Sequence, residues 1–136
     1  MILIINTSAK DCFELLLAKK KNEFKAVKVK GSFNQAEKLL PEIDKLLKKE
    51  KVKKEKLTGI GVVIGPGGFT SIRIGVAVAN VFGFALGLPI IGVKATEFED
   101  NKQLAELVFS KARTTAKAKL VLPFYDREPN ITMAKK

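Results

Sequence analysis

The chain has 136 residues, 46% of them hydrophobic, with a net charge of +11 and a pI near 9.8. That is enough apolar material for one domain with a real core, which excludes a chain disordered throughout. The lack of histidine removes histidine-based triads, histidine general bases and histidine-containing zinc sites.

The single cysteine, Cys12, has no intrachain disulfide partner, which fits a reducing cytoplasm. The excess of lysine favours nucleic acid or an acidic partner. The competing explanation is that lysines solvate exposed helix faces, because they are spread along the chain without interleaved aromatics.

Residues 1–7 carry Ile2, Ile4 and Ile5 and read as a short buried strand; MILIINTS lacks the basic n-region of a signal peptide. Asn6 to Asp11 is turn-rich, and residues 12–18 form a second strand candidate. Lys19-Lys20-Lys21-Asn22 is a polar turn, and residues 24–30 alternate apolar side chains with lysines as a half-exposed third strand. The two short turns predict an antiparallel meander.

After Gly31-Ser32, Leu39, Leu40, Ile43, Leu46 and Leu47 recur at helical spacing, with charged residues on the other faces. Pro41 lies inside that pattern and predicts a kink or a start near it. The lysine-rich residues 48–56 end the helix. Residues 57–64 form a strand broken by Gly65-Pro66-Gly67-Gly68. A helix over 70–86 follows, capped by Thr70 or Ser71 and stopped by Gly87, then a fifth strand over 89–93. Leu104, Leu107, Val108 and Ala112 predict another helix, and residues 119–124 a last short strand. The expected class is α/β: a mixed sheet with helices on its faces and a parallel crossover over 57–93.

The 70–86 helix is apolar round most of its circumference, with small residues at Gly75, Ala79, Gly83 and Gly87. One face suits its own sheet; the other is expected to meet a partner helix. Residues 74–93 are uncharged and long enough to span a bilayer, but Asn80, Pro89 and the glycines argue against a membrane segment. The glycine turn could hold an anion on free amides, yet it lacks the Lys-Ser/Thr pair of a P-loop and does not match GxGxxG. A tight chain reversal is the simpler reading. Cys12, with no histidine to activate it, reads as a small buried apolar residue.

The stretch GPGGFTSIRIGVAVANVFGFALGLPIIGV closely resembles the signature region of the TsaB (YeaZ) family, through Gly65, Pro66, Gly67, Phe69, Thr70, Arg73, Ile74 and Gly75. Gly68 and Ser71 depart mildly from the family pattern. MILIINTS resembles the family's first strand, with Asn6 where aspartate is usual; AEKLLPEIDKLL resembles its first helix; and LPFYDREP resembles a C-terminal motif through Pro123, Tyr125 and Arg127.

The resemblance implies one actin/Hsp70-like ATPase (ribonuclease H-like) lobe over residues 1–95, with 96–136 as a short helix, strand and tail in place of a second lobe. It implies a cytoplasmic, non-catalytic scaffold in transfer of the threonylcarbamoyl group to the tRNA adenosine next to the anticodon. Such a scaffold docks on a TsaD-like catalytic subunit, with a TsaE-like ATPase in the assembly, or on a second copy of itself. The implied interface is Leu39, Leu40, Ile43 and Leu47 on the first helix, and Phe69, Thr70, Arg73, Val76, Ala79, Asn80, Phe82 and Gly83 on the second. No catalytic, cofactor or metal residue is expected, since an amide at Asn6 cannot hold Mg²⁺ as a carboxylate does. The alternatives are a nucleotide-binding hydrolase or glycoprotease-like enzyme of the same fold, and a basic module that contacts tRNA through its lysines.

Overall fold

The computed structural model describes residues 1–9, 11–31, 35–115 and 120–124, without the side chains of residues 35, 36 and 69. Strand β1 (Ile2–Asn6) pairs antiparallel with β2 (Cys12–Lys20), which pairs antiparallel with β3 (Glu23–Lys30). Helix α1 (Gln35–Lys49) carries the chain back to β4 (Gly59–Gly65), parallel to β1. Helix α2 (Phe69–Leu86) then leads to β5 (Ile90–Lys94), parallel to β4, and α3 (Asn101–Ala112) follows. The five strands lie in the order β3-β2-β1-β4-β5. This is the mixed sheet expected from the sequence: a meander followed by parallel crossovers.

Alternation along the strands divides the core in two. Leu3 and Ile5 of β1, Phe13, Leu15 and Leu17 of β2, and Ile60 and Val62 of β4 face α1 and α2. Ile2 and Ile4, Leu16 and Ala18, and Val63, Ile91 and Val93 face α3 through Leu104, Ala105 and Val108. Helix α3 therefore belongs to the same core as residues 1–95. Its close approach depends on Gly61, where a Cβ would lie 2.9 Å from Val108 Cγ1. Cys12 is buried, as its apolar reading requires.

Helix α1 buries Leu39, Ile43, Leu46 and Leu47, while Lys48 pairs with Asp44 one turn away on the outer face. It continues through Pro41 rather than starting there. A proline inside a helix costs about 3 kcal/mol. Burial of four large apolar side chains, at about 1.5–3 kcal/mol each, outweighs that. Beyond Lys49 the backbone turns through Lys51, at φ 57°, and Val52 N–H donates to Leu47 O at 2.9 Å.

Two expectations need correction. Helix α2 starts at Phe69 with Gly68 as its N-cap and no side-chain cap, so Thr70 and Ser71 lie inside the first turn. Ser71 instead presents its carbonyl to Thr7 Oγ1 at 2.7 Å. The expected last strand is also absent from residues 120–124, and Lys119 lies outside the described residues. The segment is held at single points: Phe124 N–H donates to Ile64 O at 2.7 Å, and Val121 is gripped by Asn80. At its C-terminal end α2 stops as expected, with Gly87 left-handed at φ 66° and Leu88 N–H donating to Gly83 O at 2.8 Å. Among the described residues no helix is long and apolar enough to cross a membrane.

Candidate partner-docking surface

Helix α2 is seated on the sheet by its small residues. A Cβ on Gly75 would collide with Thr7 Oγ1, and one on Gly83 would collide with Ile90. Ala79, between them in the same row, is fully buried, and Ile72 and Val76 complete the inward face. The small-residue row therefore admits this chain's own sheet, not a foreign helix.

That packing revises the expected interface. Leu39, Ile43, Leu47, Val76, Ala79 and Gly83 are buried in the lobe's own core and offer nothing to a partner. Phe82 is half-buried against the same core. The Phe69 side chain lies outside the described residues, as do Tyr125 and Arg127. Leu40, Thr70 and Arg73 are exposed. The residues missed by sequence reasoning are Val81 and Phe84, whose exposures of 65% and 71% are large for apolar side chains. With Thr70, Ile74 and Ala77 they recur at alternating four- and three-residue spacing, which places them in one row along the helix. That spacing was legible; which row faced outward was not.

Asn80 has a different role from the one expected. Its Nδ2 donates to Val121 O at 2.9 Å, and its Oδ1 accepts from Val121 N–H at 3.0 Å. This two-point grip fixes residues 120–124 along the edge of α2. Helical neighbours of Asn80 are Ala77 and Phe84, so the segment runs beside the exposed row. Leu120 and Leu122, which flank Val121, are themselves exposed. Val121 turns inward towards Gly92 and the core. Farther along, Lys94 Nζ lies 4.2 Å from the centroid of the Phe124 ring. The neighbouring Glu97 carboxyl accepts from Lys94 N–H at 2.8 Å, and that bond, with help from Lys111, holds its pKa below the usual range.

The glycine turn is filled by protein. Asn6 Oδ1 accepts from Ser8 N–H at 3.0 Å and from Ser8 Oγ at 2.6 Å, so its acceptor is occupied within its own turn. A Cβ on Gly67 would lie 2.9 Å from both Ser8 Cα and Ser8 O. The turn thus presses directly on the connection after β1, and these residues fit a chain reversal rather than a metal–phosphate cradle. Among the described residues no group of three or more cysteine, aspartate or glutamate side chains gathers as a metal site.

Comparison with known proteins places this lobe. Residues 30–99, just over half of the chain, match the family model described as "TsaD: tRNA N6-adenosine threonylcarbamoyltransferase". A tRNA N6-adenosine threonylcarbamoyltransferase of Shouchella clausii is 36% identical over 69 residues, covering 49% of this chain and 21% of that protein. An uncharacterized protein of Mycobacterium tuberculosis is 34% identical over 79 residues, covering 57% of this chain and 37% of that protein.

Among solved structures, YeaZ from Pseudomonas aeruginosa superposes with a TM-score of 0.62 at 26% identity, over 68% of this chain and 43% of that one. A second structure, described as an uncharacterized protein with similarity to peptidase YEAZ from the same organism, gives 0.63 at 26% identity, over 68% and 42%. The chain thus spans less than half the length of each of these relatives. Their shared fold is the actin-like α/β lobe that the sheet order builds here. The chain belongs to the TsaD family, that of tRNA N6-adenosine threonylcarbamoyltransferase, and is TsaB-like (YeaZ-like) within it.

Proposed function

We propose that this chain is a non-catalytic scaffold subunit in threonylcarbamoyl transfer to tRNA, docking on a TsaD-like catalytic subunit through the outer face of α2. The observation that carries this reading is the exposed row ending in Val81 and Phe84, in a chain of this family. Covering their exposed apolar surface favours association, offset in part by the entropy lost when two molecules combine. Leu40 on α1, a helix on the same sheet face, is also an exposed apolar side chain. Without the catalytic subunit the same row pairs with a second copy of the chain. A TsaE-like ATPase joins the assembly in the cytoplasm.

The test is co-purification of the full chain with a TsaD-type subunit, comparing wild type with a Val81→Asp/Phe84→Asp variant. Both substitutions fall on exposed positions, so the variant should melt within a few degrees of wild type while losing the partner. A folded variant that still binds both the catalytic subunit and itself as wild type does would refute docking through α2.

A further inference from the structure

A cleft of about 470 Å³ opens on the other side of the sheet, between the β2–β3 turn and the C-terminal end of α3. Lys19, Lys20 and Lys21 line one wall and Arg113 the other. Consecutive strand residues normally point to opposite faces. Here the register shifts between Ala18 and Lys20, leaving Lys19 as the extra residue of a bulge, and the turn begins at Lys21. That irregularity is what lets three successive lysines share one cleft. Among the described residues the lining carries four cations against one carboxylate, Glu106. Phe109, half-buried against α3's core, contributes an aromatic surface to the same hollow.

Further cations lie at the far end of β3, separated from the cleft on that strand face by Ala26. Lys28 and Lys30 of β3 are exposed and share the strand face of Phe24, which packs on the α3 side. From Phe24 to Lys30 is roughly 20 Å of strand. Glu14, opposite Lys28 in register, has its Oε2 engaged by Asn101 Nδ2 at 3.0 Å. Lys28 and Lys30 border a hollow of their own beside Asp11, so this face of the sheet carries two groups of cations, one of them in a concave, aromatic-bearing site.

We propose that this cleft and the β3 lysines bind the sugar–phosphate backbone of RNA, with Arg113 and Phe109 available to stack on an unpaired base. That the polyanion is RNA rests on the family reading above; the site is independent of docking through α2. RNA is favoured over an anionic membrane because the exposed apolar residues that would enter a bilayer, Val81 and Phe84, belong to α2 on the opposite face of the sheet. The other basic stretch, around Lys51, Lys53 and Lys54, is interrupted by Glu50 and Glu55 and serves as an internal comparison.

Fluorescence anisotropy of a labelled tRNA, titrated with the full chain at about 50 and 200 mM salt, tests the assignment. The Lys20→Glu/Lys21→Glu/Arg113→Glu variant should bind at least about tenfold more weakly and show a shallower dependence on salt. The Lys51→Glu/Lys53→Glu/Lys54→Glu variant, with the same change in net charge, should lose about threefold or less. Equal losses in the two variants would make the effect one of net charge and overturn the site. So would unchanged binding by the cleft variant, or binding to phosphatidylserine vesicles with none to tRNA. Co-purification with the catalytic subunit is read separately, so failure here and failure of docking are distinguishable.

Discussion

Helices α1 and α2 cover the same face of the same sheet but are built in opposite ways. Helix α1 has one buried apolar row, Leu39, Ile43, Leu46 and Leu47, and mostly charged residues elsewhere, Leu40 being the large apolar exception, so composition largely orients it. Helix α2 is apolar inside and out, and its orientation is set by volume: Gly75, Ala79 and Gly83 fit against the sheet where larger side chains would not. A helix oriented by polarity announces its buried side. A helix oriented by shape does not, and the apolar residues left outside are the ones free to meet another molecule.

The largest expected effect comes from challenging the inward face of α2. Val76→Asp places an unpaired charge in the core and should cost at least about 3–5 kcal/mol, enough to unfold a domain of ordinary stability. Circular dichroism at 25 °C should show loss of the native signal; a folded Val76→Asp protein would reverse the assigned orientation. On α1, Ile43→Ala should cost about 2–5 kcal/mol by leaving a cavity, whereas exposed Leu40→Ala should stay within about 0.5 kcal/mol. Urea denaturation of the two variants measures that gap.

Asn80→Ala should cost about 1–2 kcal/mol, because it removes both hydrogen bonds to Val121. Faster amide exchange at Val121 should accompany the loss, and unaltered protection there would show that the segment is held by other contacts. The helix ends provide the smallest and most symmetrical test. Helix α1 is followed by left-handed Lys51, α2 by left-handed Gly87. Lys51→Gly should stabilise the fold by up to about 1 kcal/mol and Gly87→Ala should destabilise it by a similar amount, both read from thermal melts. Changes of the same sign at the two ends would contradict the shared backbone geometry.

The chain pattern carried the five strands, the three helices and the stop at Gly87, since each rests on local periodicity or a backbone preference. The candidate site was less legible. The residues at Leu39, Ile43, Leu47, Val76, Ala79 and Gly83 are conspicuous in the sequence because they pack, and packing turned them inward. Val81 and Phe84 look no different from their neighbours, and only a bound sheet on the far side distinguishes them. Asn80 stands out as a polar residue in an apolar helix, but its partner is 41 positions away.

By itself the sequence determined the order and type of the elements from β1 to α3, the apolar row of α1, and the resemblance to the TsaB family. Tertiary structure decided which side of α2 is outside, that residues 120–124 lie as a tethered segment instead of a strand, and that Lys19, Lys20, Lys21 and Arg113 surround one cleft. The physical reason is range. Periodicity and turn preference act over a few residues, whereas close approach at glycine, long-range hydrogen bonds and the gathering of charge exist only between segments that the fold brings together.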